Sequence, residues 1–467
     1  MRFVCAFAAG LGALVAAAPA CLSAESIAQA LSSAYLGNPT LNADRARQRA
    51  TDEQVPQALS GWRPTVTTQG QGGFASASTS QLFTTTSNGV PVTSTRTTSG
   101  DTNPASVQIT LTQPIFTGFK TVAGVKQAEA TVAAGNQQLI NTEQQVLLNA
   151  ATAFMDVIRD RQIVVLREKS VSFYVEELKA ARARFSVGEI TKTDVAQASA
   201  ALSFARAQLE VARANRAAST ATYEKTIGHK PGALRFPPLS RRIPKSLQQA
   251  LHIAGRINPQ ILAAAYTQQA AQHNVDVVQG DLLPSLNFET TYLAQREPGL
   301  ATKNYQQVQV LGVLNIPIYE AGQVYSQVRQ AKHVANERRI QIIEAGRAVR
   351  AAVVQAWNNF VADGQTIASL KSQVSANRLA LEGVKQEAQV GTRTTLDVLN
   401  AEQTLATSQI SLVQAQHNQI VDAYALVVST GQMTAKDLGL KVPIYDAAAN
   451  QSRVRDKFIG TDVQTVQ

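Results

Sequence analysis

The residue types that most often carry catalysis are sparse in this chain and poorly spaced for it. The five histidines, His229, His252, His273, His333 and His417, stand at no interval that would bring two of them onto one metal ion. No Gly-x-Ser-x-Gly elbow occurs, and Gly118-Phe119-Lys120-Thr121 lacks the upstream glycine of a phosphate loop. That tetrapeptide reads as a turn leaving a strand. Both cysteines, Cys5 and Cys21, fall within the first 24 residues, so the remaining chain offers no thiol to a disulfide, a metal or a substrate. These residues predict no enzyme, no cofactor and no metal site. Chemistry concentrates instead in two short glycine-containing segments. One is Arg184-Phe185-Ser186-Val187-Gly188 with Thr193-Asp194-Val195, and the other is Val390-Gly391-Thr392-Arg393-Thr394 with Asp397-Val398-Leu399. Arginine presents five donors in a rigid fork, suited to carboxylate and hydroxyl acceptors. On residue types alone, a functional link and an ordinary surface ion pair worth under about 1 kcal/mol are equally good readings.

The first residues set the compartment. Met1-Arg2 is a short basic start, Phe3 to Ala17 is apolar, and small residues follow at Ala18-Pro19-Ala20 and Ser23-Ala24. That is the pattern of a secretory signal peptide, here residues 1–24, cut after Ala24 or alternatively after Ala20. Cys21 raises a lipoprotein reading, against which stands the proline beside the small residue. Beyond this leader no run of about 18 apolar residues exists, so an exported chain of this kind is either soluble or enters a membrane as a β-barrel. The net charge of +10 comes from 43 Lys and Arg against 33 Asp and Glu. The basic residues are scattered at helical spacing rather than clustered, which with the export signal argues against nucleic acid as a partner.

Self-similarity organises everything downstream. Ser26-Ile27, Asn38-Pro39 and Arg63-Pro64 recur as Ser246-Leu247, Asn258-Pro259 and Leu283-Pro284 at an offset of 220. Gln113-Pro114-Ile115-Phe116, Val187-Gly188, Thr193-Asp194-Val195 and Gly228 then recur as Ile316-Pro317-Ile318-Tyr319, Val390-Gly391, Leu396-Asp397-Val398 and Gly431 at an offset of 203. One insertion of 17 residues between Pro64 and Pro114 accounts for the change. The organisation is therefore repeat 1 over 25–230, a linker at 231–245, repeat 2 over 246–440, and a polar tail at 441–467 without clear periodicity or assigned role.

Each repeat reads in the same order. A helical segment, about 27–59 in the first, gives way to strands. Val107, Ile109 and Leu111 alternate with polar residues, as do Leu286, Phe288 and Tyr292, with strands expected near 284–293 and 307–316 of repeat 2. The Ser-, Thr-, Gly- and Asn-rich stretch 75–104 reads as a long solvated loop. After Pro114 and Pro317 the chain turns helical at unusual length. Residues 122–185 hold no proline, and about 64 residues at about 1.5 Å each would extend near 100 Å. A turn at 187–193 and its counterpart at 390–396 lead into second helices. There Val195, Leu202 and Leu209 alternate with Ala198, Ala205 and Ala212, as Val398, Leu405 and Leu412 do with Ala401, Ser408 and Ala415. Such steps of three and four form a coiled-coil seam, whose small members let helices approach closely.

Four strands cannot close a barrel, and an open edge in lipid would leave backbone groups unpaired at several kcal/mol each. Copies must therefore combine. Two would give eight strands and an interior filled by side chains, and three would give twelve, wide enough for a lumen. The flanking helices then prolong the wall, and the 6% aromatic content suits a wall without a thick core.

With this doubled plan, the Pro-Ile-aromatic strand exits and both glycine turns, the chain resembles the TolC-like outer-membrane factor family from about Glu25 to Leu440. The resemblance implies a homotrimer in outer-membrane lipid. Its twelve-stranded barrel would continue as a long periplasmic α-helical coiled-coil tunnel. The assembly would be a passive exit duct of a tripartite efflux pump or type I secretion system, taking cargo from an inner-membrane pump or ABC-type exporter through a periplasmic adaptor. It further implies that the tunnel entrance is gated at the turns, with Arg393 linked to Thr193 or Asp194 and Asp397 forming a threefold carboxylate ring. The tips Val187, Gly188, Val390 and Gly391 would meet the adaptor. Two departures stand out: Ala388, where relatives can carry a gating tyrosine, and Asn400, where a second acidic residue can follow the ring. The reading from another class is a periplasmic structural or adaptor coiled coil never inserted in a membrane.

Overall fold

The computed structural model describes residues 24–239 and 242–463; the leader and its two cysteines lie outside the described residues. In chain order the elements are α1 (Ile27–Gly37), α2 (Pro39–Asp52), α3 (Gln54–Leu59), β1 (Thr65–Gly72), β2 (Ala75–Ser87), β3 (Val90–Thr102), β4 (Ala105–Phe116), α4 (Lys120–Ser186), α5 (Lys192–Ile227), α6 (Leu247–Ile257), α7 (Pro259–Gln279), β5 (Ser285–Gly299), β6 (Thr302–Asn315), α8 (Gln323–Gln389), α9 (Thr395–Ser429) and α10 (Ala447–Arg455). They form two compact units, one of residues 24–37, 149–239 and 362–421, the other of 38–148, 242–361 and 422–463. Among the described residues no helix is long and apolar enough to cross a membrane.

The helical segment expected over 27–59 is three helices rather than one. Asn38 breaks it, because its side chain accepts from the backbone N–H of Thr40 and Leu41 while Pro39 opens the next helix. Asn258 and Pro259 do the same between α6 and α7. Asparagine as N-cap followed by proline, whose missing N–H costs nothing in the first turn, is a strong helix start.

The second unit holds the sheet. Its four strands run antiparallel in the order β1-β4-β5-β6. Register places Ile109 opposite Tyr292, and Tyr292 opposite Val308; Leu286 faces Leu314. Cross-strand partners share a face, so one side of the sheet is apolar. The other carries pairs such as Gln108 with Gln69 and Thr291 with Gln309. Much of the apolar side is exposed in a single chain, including Val66, Val308, Val310 and Leu314. The pairing of β4 with β5 shifts register between Pro114 and Phe116. Proline has no N–H to donate there, and Gln113 Nε2 donates locally to the carbonyls of Pro114, at 2.8 Å, and Trp62, at 2.9 Å.

The stretch 75–104 is not a loop: β2 and β3 pair along their whole length as a hairpin. Its turn is Asn88-Gly89, both at positive φ (54° and 82°), the geometry that asparagine-glycine favours between right-twisted strands. Threonine and serine stand opposite one another across it, with Ser80 Oγ 2.9 Å from Thr97 Oγ1. A polar composition therefore conceals strands whose both faces meet solvent.

The tail also departs from expectation. It contains α10, and Asn450 is buried, its Nδ2 donating to Asp52 Oδ2 at 2.7 Å. Gln48 Nε2 donates to Asp52 Oδ1 at 3.0 Å and to the Val132 carbonyl at 3.2 Å. Burial holds the fully enclosed Asp52 carboxyl above the usual carboxylate range, while the two amides act in the opposite direction. The docking is specified by these amides and not by a periodic apolar stripe, which is why a search for periodicity passes over it.

In the first unit the seam residues are where spacing puts them. Ala198, Leu202, Ala205, Leu209 and Ala212 of α5 are buried, as are Val398, Leu405, Ser408 and Ala415 of α9. Leu202 and Ala205 pack with Tyr174, Leu178 and Ala181 of α4, while Leu405 packs with Val374 and Leu381 of α8. Each buried leucine is worth about 1.5–3 kcal/mol, against under about 1 kcal/mol for an exposed ion pair such as Arg213–Glu168. The seam, not the surface charge, holds these helices together.

Candidate functional site at the paired helical turns

Both turns lie in the first unit and are built from one plan. Helix α4 ends as Gly188 enters the left-handed region at φ 81°; its N–H donates to the Phe185 carbonyl and that of Glu189 to Arg184, both at 3.0 Å. Helix α8 ends identically, with Gly391 at φ 79°, its N–H donating to Ala388 at 3.3 Å and that of Thr392 to Glu387 at 3.0 Å. These paired bonds satisfy the last carbonyls of a helix, and glycine adopts the required φ without strain.

The next helices start with reciprocal caps. Thr191 accepts from the N–H of Asp194 through Oγ1, and Asp194 Oδ2 accepts from the Thr191 N–H at 2.9 Å and hydroxyl at 2.7 Å. Thr394 and Asp397 repeat this, with Asp397 Oδ2 accepting from the Thr394 N–H at 3.0 Å and hydroxyl at 2.8 Å. The hydroxyl of Thr191 and, at Asp397, the N–H of Thr394 are the leading reasons both carboxyls sit below the usual carboxylate range. Each remains charged at any physiological pH.

Of the residues singled out from sequence, the structure thus brings Asp194 and Asp397 to equivalent places but occupies both with caps. Arg393 does not reach Thr193 or Asp194 within one chain. Its Nε donates to Glu387 Oε2 at 2.8 Å, in an ion pair whose side chains are 52% and 51% exposed. Thr193 is exposed, and Val187 and Val390 are 78% and 76% exposed beside their glycines. Ala388 is buried and Asn400 exposed. Two residues outside the sequence reading matter here, Thr191 and Glu387, and Thr394 takes the capping role that Thr191 has at the first turn. The Thr-x-x-Asp spacing ahead of an apolar run, present at both turns, is the signal that finds the two threonines.

Behind the turns is a buried polar contact between α4 and α9. Ser170 Oγ donates to Glu402 Oε1 at 3.2 Å, and the Tyr174 hydroxyl donates to the Leu399 carbonyl at 3.4 Å. Burial pushes the Tyr174 phenol up to about 12 and raises the Glu402 carboxyl, the latter opposed by Ser170 and Lys385. A carboxyl raised in the folded state favours folding fully below its unfolded value of about 4.3 and loses that contribution as pH rises through the folded value. Glu402→Gln, which keeps an acceptor for Ser170, is therefore expected to raise the thermal midpoint near pH 8 and leave it unchanged near pH 4. Calorimetry at the two pH values checks this, and a fall at both would show the carboxylate to be a required acceptor.

Residues 30–229 and 250–432 match the outer membrane efflux protein family. Outer membrane efflux protein BepC of Brucella suis biovar 1 (strain 1330) is 40% identical over 438 residues, 93% of this chain and 92% of the relative. Outer membrane protein TolC of Escherichia coli (strain K12) is 27% identical over 432 residues, 89% of this chain and 84% of the relative. In fold, the chain is similar to the crystal structure of the Campylobacter jejuni CmeC outer membrane channel, with a TM-score of 0.73 at 14% identity, covering 92% of this chain and 89% of that one.

Proposed function

The chain belongs to the outer membrane efflux protein family, a family of outer-membrane channels, and on that premise we propose that three copies close one barrel and form the passive exit duct of a tripartite efflux pump or type I secretion system. The observation that carries this is the sheet. It has one predominantly apolar and one predominantly polar face, and among the described residues its edge strands β1 and β6 each have one side unpaired. In hydrocarbon those edges would cost several kcal/mol per unpaired group, and joining β6 of one copy to β1 of the next removes the cost. Three copies supply twelve strands, with the apolar face toward lipid and the polar face toward a lumen. A coiled coil that stays out of the membrane has no use for such a sheet. Cargo would arrive from an inner-membrane pump or ABC-type exporter through a periplasmic adaptor, which the tips Val187, Gly188, Val390 and Gly391 would meet. The repeats 25–230 and 246–440, joined by 231–245, would each contribute one strand pair and one helical hairpin.

Membrane flotation followed by chemical crosslinking tests the reading. A membrane-bound species of three chains is expected, and a water-soluble monomer with no affinity for lipid or detergent would overturn it. Crosslinking from a cysteine placed at Gly391 is expected to trap an adaptor.

The gate reading assigns Thr193, Asp194, Arg393 and Asp397 to the entrance. In the assembled duct Arg393 would exchange Glu387 for Thr193 or Asp194 of a neighbouring hairpin, and three copies of Asp397 would ring the lumen. Cap and ring can be separated. Asp397→Asn keeps an acceptor for Thr394 and removes the charge, so cation selectivity is expected to fall with little change in stability. Asp397→Ala removes both and is expected to cost about 1 kcal/mol of stability as well. Reversal potentials in planar bilayers and thermal unfolding read the two effects. Unchanged selectivity in both variants would leave Asp397 with the cap alone.

A further inference from the structure

The tail that follows residue 440 builds a cavity that the channel reading does not use. Helix α10 and the residues after it lie along α2, and a cavity of about 560 Å3 opens between them. Its apolar lining comes from Ala46, Ala50, Val454 and Val463. Its charged lining consists of Arg49, Arg453 and Lys457 with Glu53 and Asp462. We propose that this cavity binds a small anionic amphiphile, a phosphate monoester or carboxylate carrying a short apolar tail.

The charges decide the sign of the ligand. Lys457 and Asp462 neutralise each other, Nζ lying 2.8 Å from Oδ1 and donating also to the Asp462 carbonyl at 2.9 Å. Arg453 donates from Nη2 to the neutral Oδ1 of Asn450 at 2.8 Å and lies within the field of the Asp462 carboxylate. Arg49 lies within the field of the buried Asp52 carboxyl, but the oxygens of Asp52 are taken by Gln48 and Asn450. Among the described residues Arg49 forms no ion pair, and the lining as a whole sets three cations, Arg49, Arg453 and Lys457, against two carboxylates, Glu53 and Asp462. Arginine forks match the oxygens of phosphate and carboxylate two at a time. The volume lies in the range of small-molecule sites, and a lining of both apolar and charged side chains suits a head group with a short tail better than a bare ion. The same amides that anchor α10, Gln48 and Asn450, hold the walls in place, so the tail acquires a role as one side of a binding site.

The test uses the full-length chain in discs of neutral lipid, titrated by calorimetry with hexyl phosphate and hexanoate. Inorganic phosphate and hexyl glucoside serve as separate arms. Saturable binding of hexyl phosphate or hexanoate at one per chain is expected, the tighter of the two identifying the head group. Inorganic phosphate is expected to bind about tenfold more weakly, because it lacks the tail. The double variant Arg49→Gln, Arg453→Gln is expected to weaken binding of the amphiphile by about tenfold or more, with an unchanged thermal midpoint. Arg47→Gln, on an exposed side chain paired with Asp44 outside the cavity, is expected to bind as the unaltered chain does. Three results would overturn the proposal: no saturable binding of either amphiphile, equal binding of hexyl glucoside, or full affinity in the double variant. Inorganic phosphate binding as tightly as hexyl phosphate would overturn the amphiphile class.

Discussion

Arg393→Ser is expected to raise the conductance of the reconstituted channel severalfold while leaving its thermal midpoint almost unchanged. The two halves of that expectation come from different sources. Among the described residues of a single chain Arg393 forms an ion pair with Glu387, exposed and at 2.8 Å. Such a pair contributes under about 1 kcal/mol, because solvent screens it and two long side chains must be held in one geometry. Losing it does little to the fold, since the turn itself is held by the Gly391 and Thr392 backbone bonds and the Thr394–Asp397 cap. Any large functional effect must then come from a link that Arg393 makes in the closed assembly. Asp194→Ala is expected to raise conductance too, with an added loss of about 1 kcal/mol from its cap. Single-channel recording beside thermal unfolding separates the effects. Unchanged conductance in both variants would place the gate elsewhere.

Gly118→Val is expected to abolish the folded, membrane-inserted form, the largest stability effect in the molecule. Gly118 sits at φ 61°, and a Cβ there would lie 2.5 Å from the Gly280 carbonyl and 3.0 Å from Leu283 Cβ. Gly280 is equally crowded: a Cβ on it would meet Lys120 Cγ at 2.3 Å and the Gly118 carbonyl at 2.7 Å. The backbones leaving β4 and entering β5 touch here, and neither can retreat without breaking the β4–β5 pairing. Left-handed strain adds about 1–2 kcal/mol to the clash, and a β-branched side chain fits that region worst. The junction between β6 and α8 tells the opposite story. Both junctions use two successive residues at positive φ, Gly118-Phe119 (61°, 63°) and Ala321-Gly322 (50°, 81°). Glycine has moved from the first position to the second, and Gly322 has open space around it. Ala321→Gly should therefore stabilise by about 1 kcal/mol, where Gly118→Val destroys. Heat-modifiable mobility of the membrane fraction distinguishes folded from unfolded chains for each variant.

The strands and long helices were open to reading because their signals are local. Alternation at 106–112 and the absence of proline over 122–185 each report on a few neighbouring residues, and strand β4 and helix α4 lie where those patterns put them. The seam residues Leu202 and Leu405 are buried for the same reason, since a heptad names its own inward face. Where the local signal weakened, the reading slipped. Threonine and serine suggested a loop at 75–104, yet threonine is β-branched and suits an extended chain, and Asn88-Gly89 was the turn signal that composition masked. Gly118 and Phe119 form a turn while Lys120 and Thr121 already belong to α4, and the crowding of Gly118 against Gly280 depends on a residue 162 positions away.

The amino-acid sequence by itself did not determine the β2–β3 hairpin, the break at Asn38 or helix α10, but it did determine the long helices, the inward faces of the coiled coils and the four strands of the larger sheet. These follow from steric preferences and periodicities that act over a turn or two of backbone. Only the tertiary structure decided which charges meet. It gave Arg393 to Glu387, committed Asp194 and Asp397 to threonine caps, and folded the tail onto α2 through Asp52 and Asn450, beside a cavity lined by charges of both signs. Charged and amide groups reach several alternative partners with nearly equal energy in water. Their pairing is settled by which surfaces the packed backbone brings together, and no spacing along a chain encodes that.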